Sequence, residues 1–216
     1  MIVVVYTAAF GTTDQVRAPL VVDPDAEYLC FTDGPLAPAP YETIRMAGPG
    51  PTPFLSAKRI KILADHRRLE AADLLVWHDA SYKLLRTVRW AVRRLAECDL
   101  VAMRHARRDR IEDEALAIAR YRYVTSSRAE ALVAGYRAEG FDLEGLSSGG
   151  LIGSRASAVA AAFRATWWAE ALKWAGRDQG CLDYSAWKAG ARIGYVKGNH
   201  RANPYAAWRQ PGEAVA

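Results

Sequence analysis

Residues 2–6 form an unbroken run of Ile, Val and Tyr that shows no polar alternation, the pattern of a strand buried on both faces. Small residues and Gly11 follow it and predict a turn. A second strand is predicted over 27–32, ending at Asp33-Gly34, and the alternating stretch 41–46 predicts a third, more exposed one. Glycines and prolines crowd 47–54 and predict a loop. Apolar spacing turns helical over 55–71, where Ile60, Leu63, Arg67 and Ala71 share one side while Lys58, Lys61 and Asp65 point elsewhere.

An apolar run from Leu74 to Trp77 then stops abruptly at His78-Asp79-Ala80-Ser81, which predicts a buried strand with an acid at its carboxyl end. Beyond it the pattern predicts a helix over 86–97, a strand over 100–103 and helices over 111–122 and 127–139. Ser147-Ser148-Gly149-Gly150 precedes a short apolar run at 151–153, helices are predicted over 157–175 and 178–188, and a small strand over 192–196. Strands that alternate with helices predict an α/β fold: a mixed, mostly parallel sheet with helices on both faces.

Length changes this picture little, because 216 residues at 51% hydrophobic content suit one well-buried domain spanning 1–216. Cys30, Cys98 and Cys181 are scattered without metal-ligand spacing, so reduced, buried thiols are expected. No stretch reaches the length of a membrane span and the amino terminus lacks the pattern of a signal peptide, so a soluble, cytoplasmic protein is expected. Charge adds more. A net +5, with 29 basic against 24 acidic residues, suits an anionic ligand; no basic-aromatic module of a nucleic-acid reader is present, so no nucleic-acid partner is expected.

In open α/β sheets ligands bind outside the carboxyl ends of the strands, which makes Asp79 a candidate ligand for a metal ion, although an Asp there also serves to cap a turn. Neither a dinucleotide glycine fingerprint nor a phosphate loop follows the first strand, where Thr7-Ala8-Ala9-Phe10-Gly11 stands. A bound diphosphate therefore needs another source of positive charge, and a divalent cation, Mn2+ or Mg2+, is the expected cofactor. Ser81 is placed to assist Asp79 through its hydroxyl or a water, while strand alternation turns His78 the other way, toward the core. Lys58 and Lys61 share a helix face and can reach a diphosphate, unless they form only its solvated side. Arg107, in the segment His105 to Asp109, again brings charge to a strand end. Arg177-Asp178-Gln179 follows Gly176 at a helix start; Asp178 and Gln179 fit a helix cap or a sugar pocket. His200, in the polar segment Gly198 to Tyr205, is a further candidate metal ligand.

Five patches in order carry a resemblance: Val5-Tyr6-Thr7-Ala8 with Tyr28 to Asp33; the Lys58-to-Lys61 helix; Trp77 to Ser81; His105 to Asp109 with Glu112 and Glu114; and Arg177-Asp178-Gln179 with Tyr184 and Trp187. Together they resemble the glycosyltransferase-like domain family of plant mucilage and turgor-regulation proteins and of bacterial proteins. That family is similar to GT-A glycosyltransferases, Rossmann-like single domains that use a nucleotide-sugar donor and a metal held by an Asp-x-Asp-type motif. The resemblance implies a hexosyltransferase-type enzyme favouring a UDP-sugar, with an unknown glycan, lipid or protein acceptor. Residues 1–100 would be mainly the nucleotide-binding half and 101–216 mainly the acceptor half and tail.

It also implies roles residue by residue. Thr7, Ala8 and Asp33 would border the nucleotide; Lys58, Lys61, Arg107, Gly149 and Gly150 would bind the donor; Asp79, Ser81 and His200 would hold the metal; Asp178 and Gln179 would face the donor sugar as the catalytic pair. Ser81 stands where the common motif has its second acid. A non-catalytic nucleotide- or glycan-binding module of the same fold is the alternative.

Overall fold

The structure, a computed structural model, describes residues 1–11 and 15–208. Its centre is a seven-stranded sheet built from β1 (Val3–Ala9), β2 (Ala26–Thr32), β3 (Glu42–Arg45), β4 (Leu74–His78), β6 (Leu100–Arg104), β7 (Ser147–Arg155) and β8 (Ile193–Asn199), in the order β3-β2-β1-β4-β7-β6-β8. Six strands run parallel and β7 alone opposes them, pairing antiparallel with both β4 and β6. A two-stranded ribbon, β5 (Tyr82–Leu84) with β9 (Ala206–Trp208), lies apart. The sheet is the mixed, mostly parallel one that the alternation predicts, and it joins the first hundred residues to the rest without a break.

Alternate residues of each central strand feed two cores, as a period of two demands. Val4, Tyr6, Leu75 and Trp77 pack into one, with α1 (Pro53–Leu63), α4 (Ile111–Arg120), α5 (Ser126–Ala138), α6 (Ala158–Lys173) and α7 (Leu182–Lys188). Val3, Val5, Leu74 and Val76 pack into the other, covered by α3 (Arg89–Arg94) and the β5/β9 ribbon. Helices therefore lie on both faces, most of them on the first. Cys30, Cys98 and Cys181 are free and buried, and among the described residues no helix is long and apolar enough to cross a membrane.

Three departures from the sequence pattern matter for the site. The helix predicted over 55–71 is two: α1 ends where Ala64 takes φ 51°, and α2 (Arg67–Glu70) restarts under a cap in which His66 Nδ1 accepts from the Arg68 amide. Asp65, held by Arg59 at 2.6 Å, and His66, packed edge-on against Phe31, fix that break. Strand β7 is nine residues long rather than three, because Ser147 to Gly150 are strand residues chosen small by what lies over them. The helix predicted from 178 begins instead as a 3-10 turn, Gln179–Cys181, before α7.

Strand order fixes where a ligand can sit. From β1 the chain moves outward to β2 and β3, then crosses back to place β4 on the other side of β1. The β1/β4 boundary is thus a topological switch point, where diverging connections leave a crevice at the carboxyl edge.

Candidate active site

A crevice of about 680 Å³ opens at that switch point, lined by the end of β1 and its loop (Ala8 to Gly11), the start of α1 (Thr52, Pro53, Phe54), Lys58, Lys61, Trp77 and Asp79 to Ser81. The sequence builds α1 to face it. Thr52 Oγ1 accepts from the Leu55 amide and Pro53 occupies the first turn, so the positive end of an eleven-residue helix points at the opening.

Lys58 and Lys61, one turn apart on α1, converge on Asp178, 120 residues away in sequence. Lys58 Nζ donates to Asp178 Oδ1 at 2.7 Å. Lys61 Nζ lies 2.6 Å from Asp178 Oδ2, an ion pair rather than a well-aligned hydrogen bond, and 3.3 Å from Asp79 Oδ1. Trp77 Nε1 donates to the same Asp79 oxygen at 2.8 Å. Four charges therefore form one chain, Lys58–Asp178–Lys61–Asp79. Exposure grades along it: the Lys61 side chain is 1% exposed, Asp178 8%, Lys58 16% and Asp79 35%. Lys61 sits between the rings of Trp77 and Trp167, at 5.8 and 5.7 Å from their centroids.

Burial alone would raise the Asp178 carboxyl, but Lys58 and Lys61 outweigh it and hold the group well below the usual carboxylate range. Burial likewise pulls Lys61 down, and Asp178 with Asp79 more than reverses it, so this ammonium binds its proton tightly. Lys58 comes out the other way: burial prevails over its pairing with Asp178 and lowers it. Asp178 is thus an ionised, weakly basic carboxylate that orients two ammonium groups.

The backbone of Asp79 is fixed by its amide, which donates to Gly150 O at 2.9 Å and extends the β4/β7 ladder by one step. His78 faces the opposite side, as alternation predicts. Its Nδ1 donates to Asp79 O and its Nε2 accepts from the Tyr41 hydroxyl, and burial pushes the imidazole down to about 4.

The other sequence candidates are placed as follows. Ala8 lines the crevice, whereas Thr7 is wholly buried on the opposite face of β1. Asp33 Oδ1 accepts from the Gly11 amide at 2.8 Å and so shapes the loop after β1 from outside the lining. Gly149 and Gly150 lie inside β7, beneath the site: a Cβ on Gly149 would meet Lys61 Nζ at 2.8 Å and Asp178 Oδ2 at 3.3 Å. A Cβ on Gly150 would meet the Tyr82 ring at 2.6 Å, and Tyr82 is itself wedged, its hydroxyl donating to His200 O. Gly150→Ala is therefore expected to lower stability by about 1–3 kcal/mol through overpacking, measurable by urea denaturation. Gln179 is half-buried at the start of its 3-10 turn, and Arg107 is exposed on the loop after β6, outside the crevice lining.

The expected metal set is not assembled. His200 Nδ1 accepts from the Ala106 amide at 3.1 Å and its ring packs 4.6 Å from His105, outside the crevice lining. Ser81 lines the crevice, and its carbonyl accepts from Arg17 at 2.8 Å. Among the described residues no three His, Cys, Asp or Glu side chains converge as a cation site. One carboxylate, already facing an ammonium, does not fit a resident divalent ion that needs several oxygen ligands.

Sequence reasoning gave Trp77 no role of its own and did not single out Tyr82 or Phe54. The alternation that puts Trp77 on the same side as Asp79 was the available signal.

No family model matches the chain, and no match was found among curated proteins. Among solved structures the chain is similar to mouse xyloside xylosyltransferase 1 in its apo form, at 8% identity over 90% of this chain and 84% of that one, with a TM-score of 0.45. A likeness of that size carries no functional argument.

Proposed function

We propose that the protein is a glycosyltransferase that binds a nucleoside-diphosphate sugar, a UDP-sugar by preference, in the β1/β4 crevice. The observation that carries this reading is the four-charge chain beneath the crevice. Buried ion pairs are poor stabilisers, because desolvation offsets most of their attraction, so four linked charges on a crevice floor have a better rationale in binding than in folding. The crevice offers a diphosphate the Lys58 ammonium and the positive end of α1.

Glycosyl transfer breaks the bond between the anomeric carbon and the diphosphate, and the enzyme must stabilise the charge that develops on the leaving oxygen. Lys58 supplies that stabilisation directly, Lys61 adds positive charge from behind it, Asp178 positions both, and Asp79 presents to a sugar hydroxyl the oxygen not engaged by Trp77 and Lys61. No step runs through a protein-held metal. Gln179, beside Asp178, is assigned to the donor sugar, residues 1–100 contribute most of the nucleotide site, and the acceptor approaches from the later half.

One observation favours the binding-only alternative. An inverting transfer needs a free carboxylate at the acceptor, yet Asp178 is held by two lysines, Glu112 by Arg110 and Arg137, and Glu114 by Arg108. Hydrolysis of UDP-sugars by the purified protein, with and without manganese, separates the readings. Slow donor hydrolysis that Lys58→Ala abolishes is expected; binding without any turnover, with any acceptor class, would move the assignment to the module.

A further inference from the structure

The loops after β6 and β8 meet at the carboxyl edge of the sheet, and the crevice does not account for their charge. His105 Nδ1 accepts from the amides of Arg107 and Arg108, which curls the first loop around the imidazole. The Ala106 amide donates to His200 Nδ1 and the His200 amide to Arg104 O, tying this loop to the second. Arg107, Arg108 and Arg201 bring positive charge to the paired rings, and Arg104 lies on the adjoining strand end. Arg108 donates an ion pair to the buried Glu114 at 2.7 Å and approaches His105 Nε2 at 3.3 Å. Arg201 lies 4.8 Å over the Trp208 ring and Arg104 4.0 Å over Tyr195, so aromatic planes hold both in place.

Neither Arg104, Arg107 nor Arg201 forms an ion pair with a carboxylate among the described residues; Asp109, on the same loop, is not paired with them. All three are exposed. Concentrated positive charge on pre-positioned planar forks matches an anion with several oxygens better than a single carboxylate. The cluster also borders the crevice, because Tyr82, whose amide donates to Asp79 O, sends its hydroxyl to His200 O.

We infer that the loops at 105–108 and 199–201 form a second anion subsite, in which Arg107, Arg108 and Arg201 hold a phosphate monoester borne by the acceptor. Its assignment to an acceptor rests on the nucleotide-sugar reading; the anion site itself does not.

The test is calorimetric titration with glucose 6-phosphate, inorganic phosphate and glucose, alongside a separate titration with UDP. The His105 and His200 ring protons, followed by NMR at one pH, report the location. Glucose 6-phosphate is expected to bind, to move both rings and to remain bound when UDP saturates the crevice, while glucose does neither. Arg107→Gln with Arg201→Gln, both at exposed positions, is expected to weaken the ester at least about tenfold and leave UDP affinity within about twofold. Inorganic phosphate that binds as tightly as the ester would make this a free-phosphate site and overturn the acceptor assignment. No ester binding, equal binding by the double variant, displacement by UDP, or tighter binding of a single-stranded oligonucleotide than of the ester overturns the inference. If the ester binds through the arginines while UDP fails to bind, the anion subsite stands, and the donor reading and the acceptor assignment fall together.

Discussion

Asp178→Ala is expected to lower the stability of the protein by about 3–5 kcal/mol, because it strands two buried ammonium groups that share one counter-ion. In a chain of this size that corresponds to a fall in Tm of roughly 10 °C, readable by circular dichroism. Lys61 has nowhere to move: it is 1% exposed and confined by Trp77, Trp167 and the backbone of Gly149. Its remaining partner would be Asp79, at a longer 3.3 Å.

The same carboxylate sets a pH dependence. Its folded-state pKa lies below its unfolded value, so the stability it contributes is present at neutral pH and is lost as pH falls from about 4 toward the depressed value. The wild type should therefore lose stability in that window more steeply than Asp178→Ala. A loss below about 1 kcal/mol at neutral pH, with unchanged acid behaviour, would mean that the pair is solvated and not the anchor of the site.

Lys58→Ala is expected to weaken binding of UDP by about tenfold to a hundredfold, the range for removing a charge-assisted hydrogen bond to phosphate in a partly buried site. Lys58 is the chosen residue because it lines the crevice with its ammonium partly open, whereas Lys61 faces the carboxylates below. Burial lowers the Lys58 pKa despite the charges of Asp178 and Asp79, so an arriving diphosphate adds negative charge that favours the ammonium form. The fold should tolerate the change, since Asp178 keeps Lys61 at 2.6 Å. Equal affinity in the variant, measured by calorimetry, would place the nucleotide elsewhere or nowhere.

The sheet and its switch point were legible in the sequence because buried parallel strands write continuous apolar runs: β1 and β4 are such runs, and the acid after β4 stands out against them. Lys58 and Lys61 were legible as a one-turn pair on a helix face. Their partner was not. An ion pair that spans 120 residues leaves no periodic trace, so Asp178 read as a helix cap or a sugar ligand and proved to clamp the lysines.

Strand β7 hid for a related reason. Ser147, Ser148, Gly149 and Gly150 carry no strand-like pattern because Asp183, Tyr82 and the Lys61–Asp178 pair occupy the space larger side chains would need. Of the metal trio, Asp79 and Ser81 line the crevice while His200 lies outside that lining, tied to the His105 loop by a backbone amide, a tertiary contact that no local motif encodes.

The central claim, that the β1/β4 crevice holds a nucleoside diphosphate over the Lys58–Asp178–Lys61–Asp79 chain, is tested most directly by a crystal structure of the protein soaked with UDP. The diphosphate should lie between the first turn of α1 and Asp79, within hydrogen-bond reach of Lys58 Nζ. A crevice left empty at saturating UDP, or nucleotide seated only against the arginine loops, would contradict it.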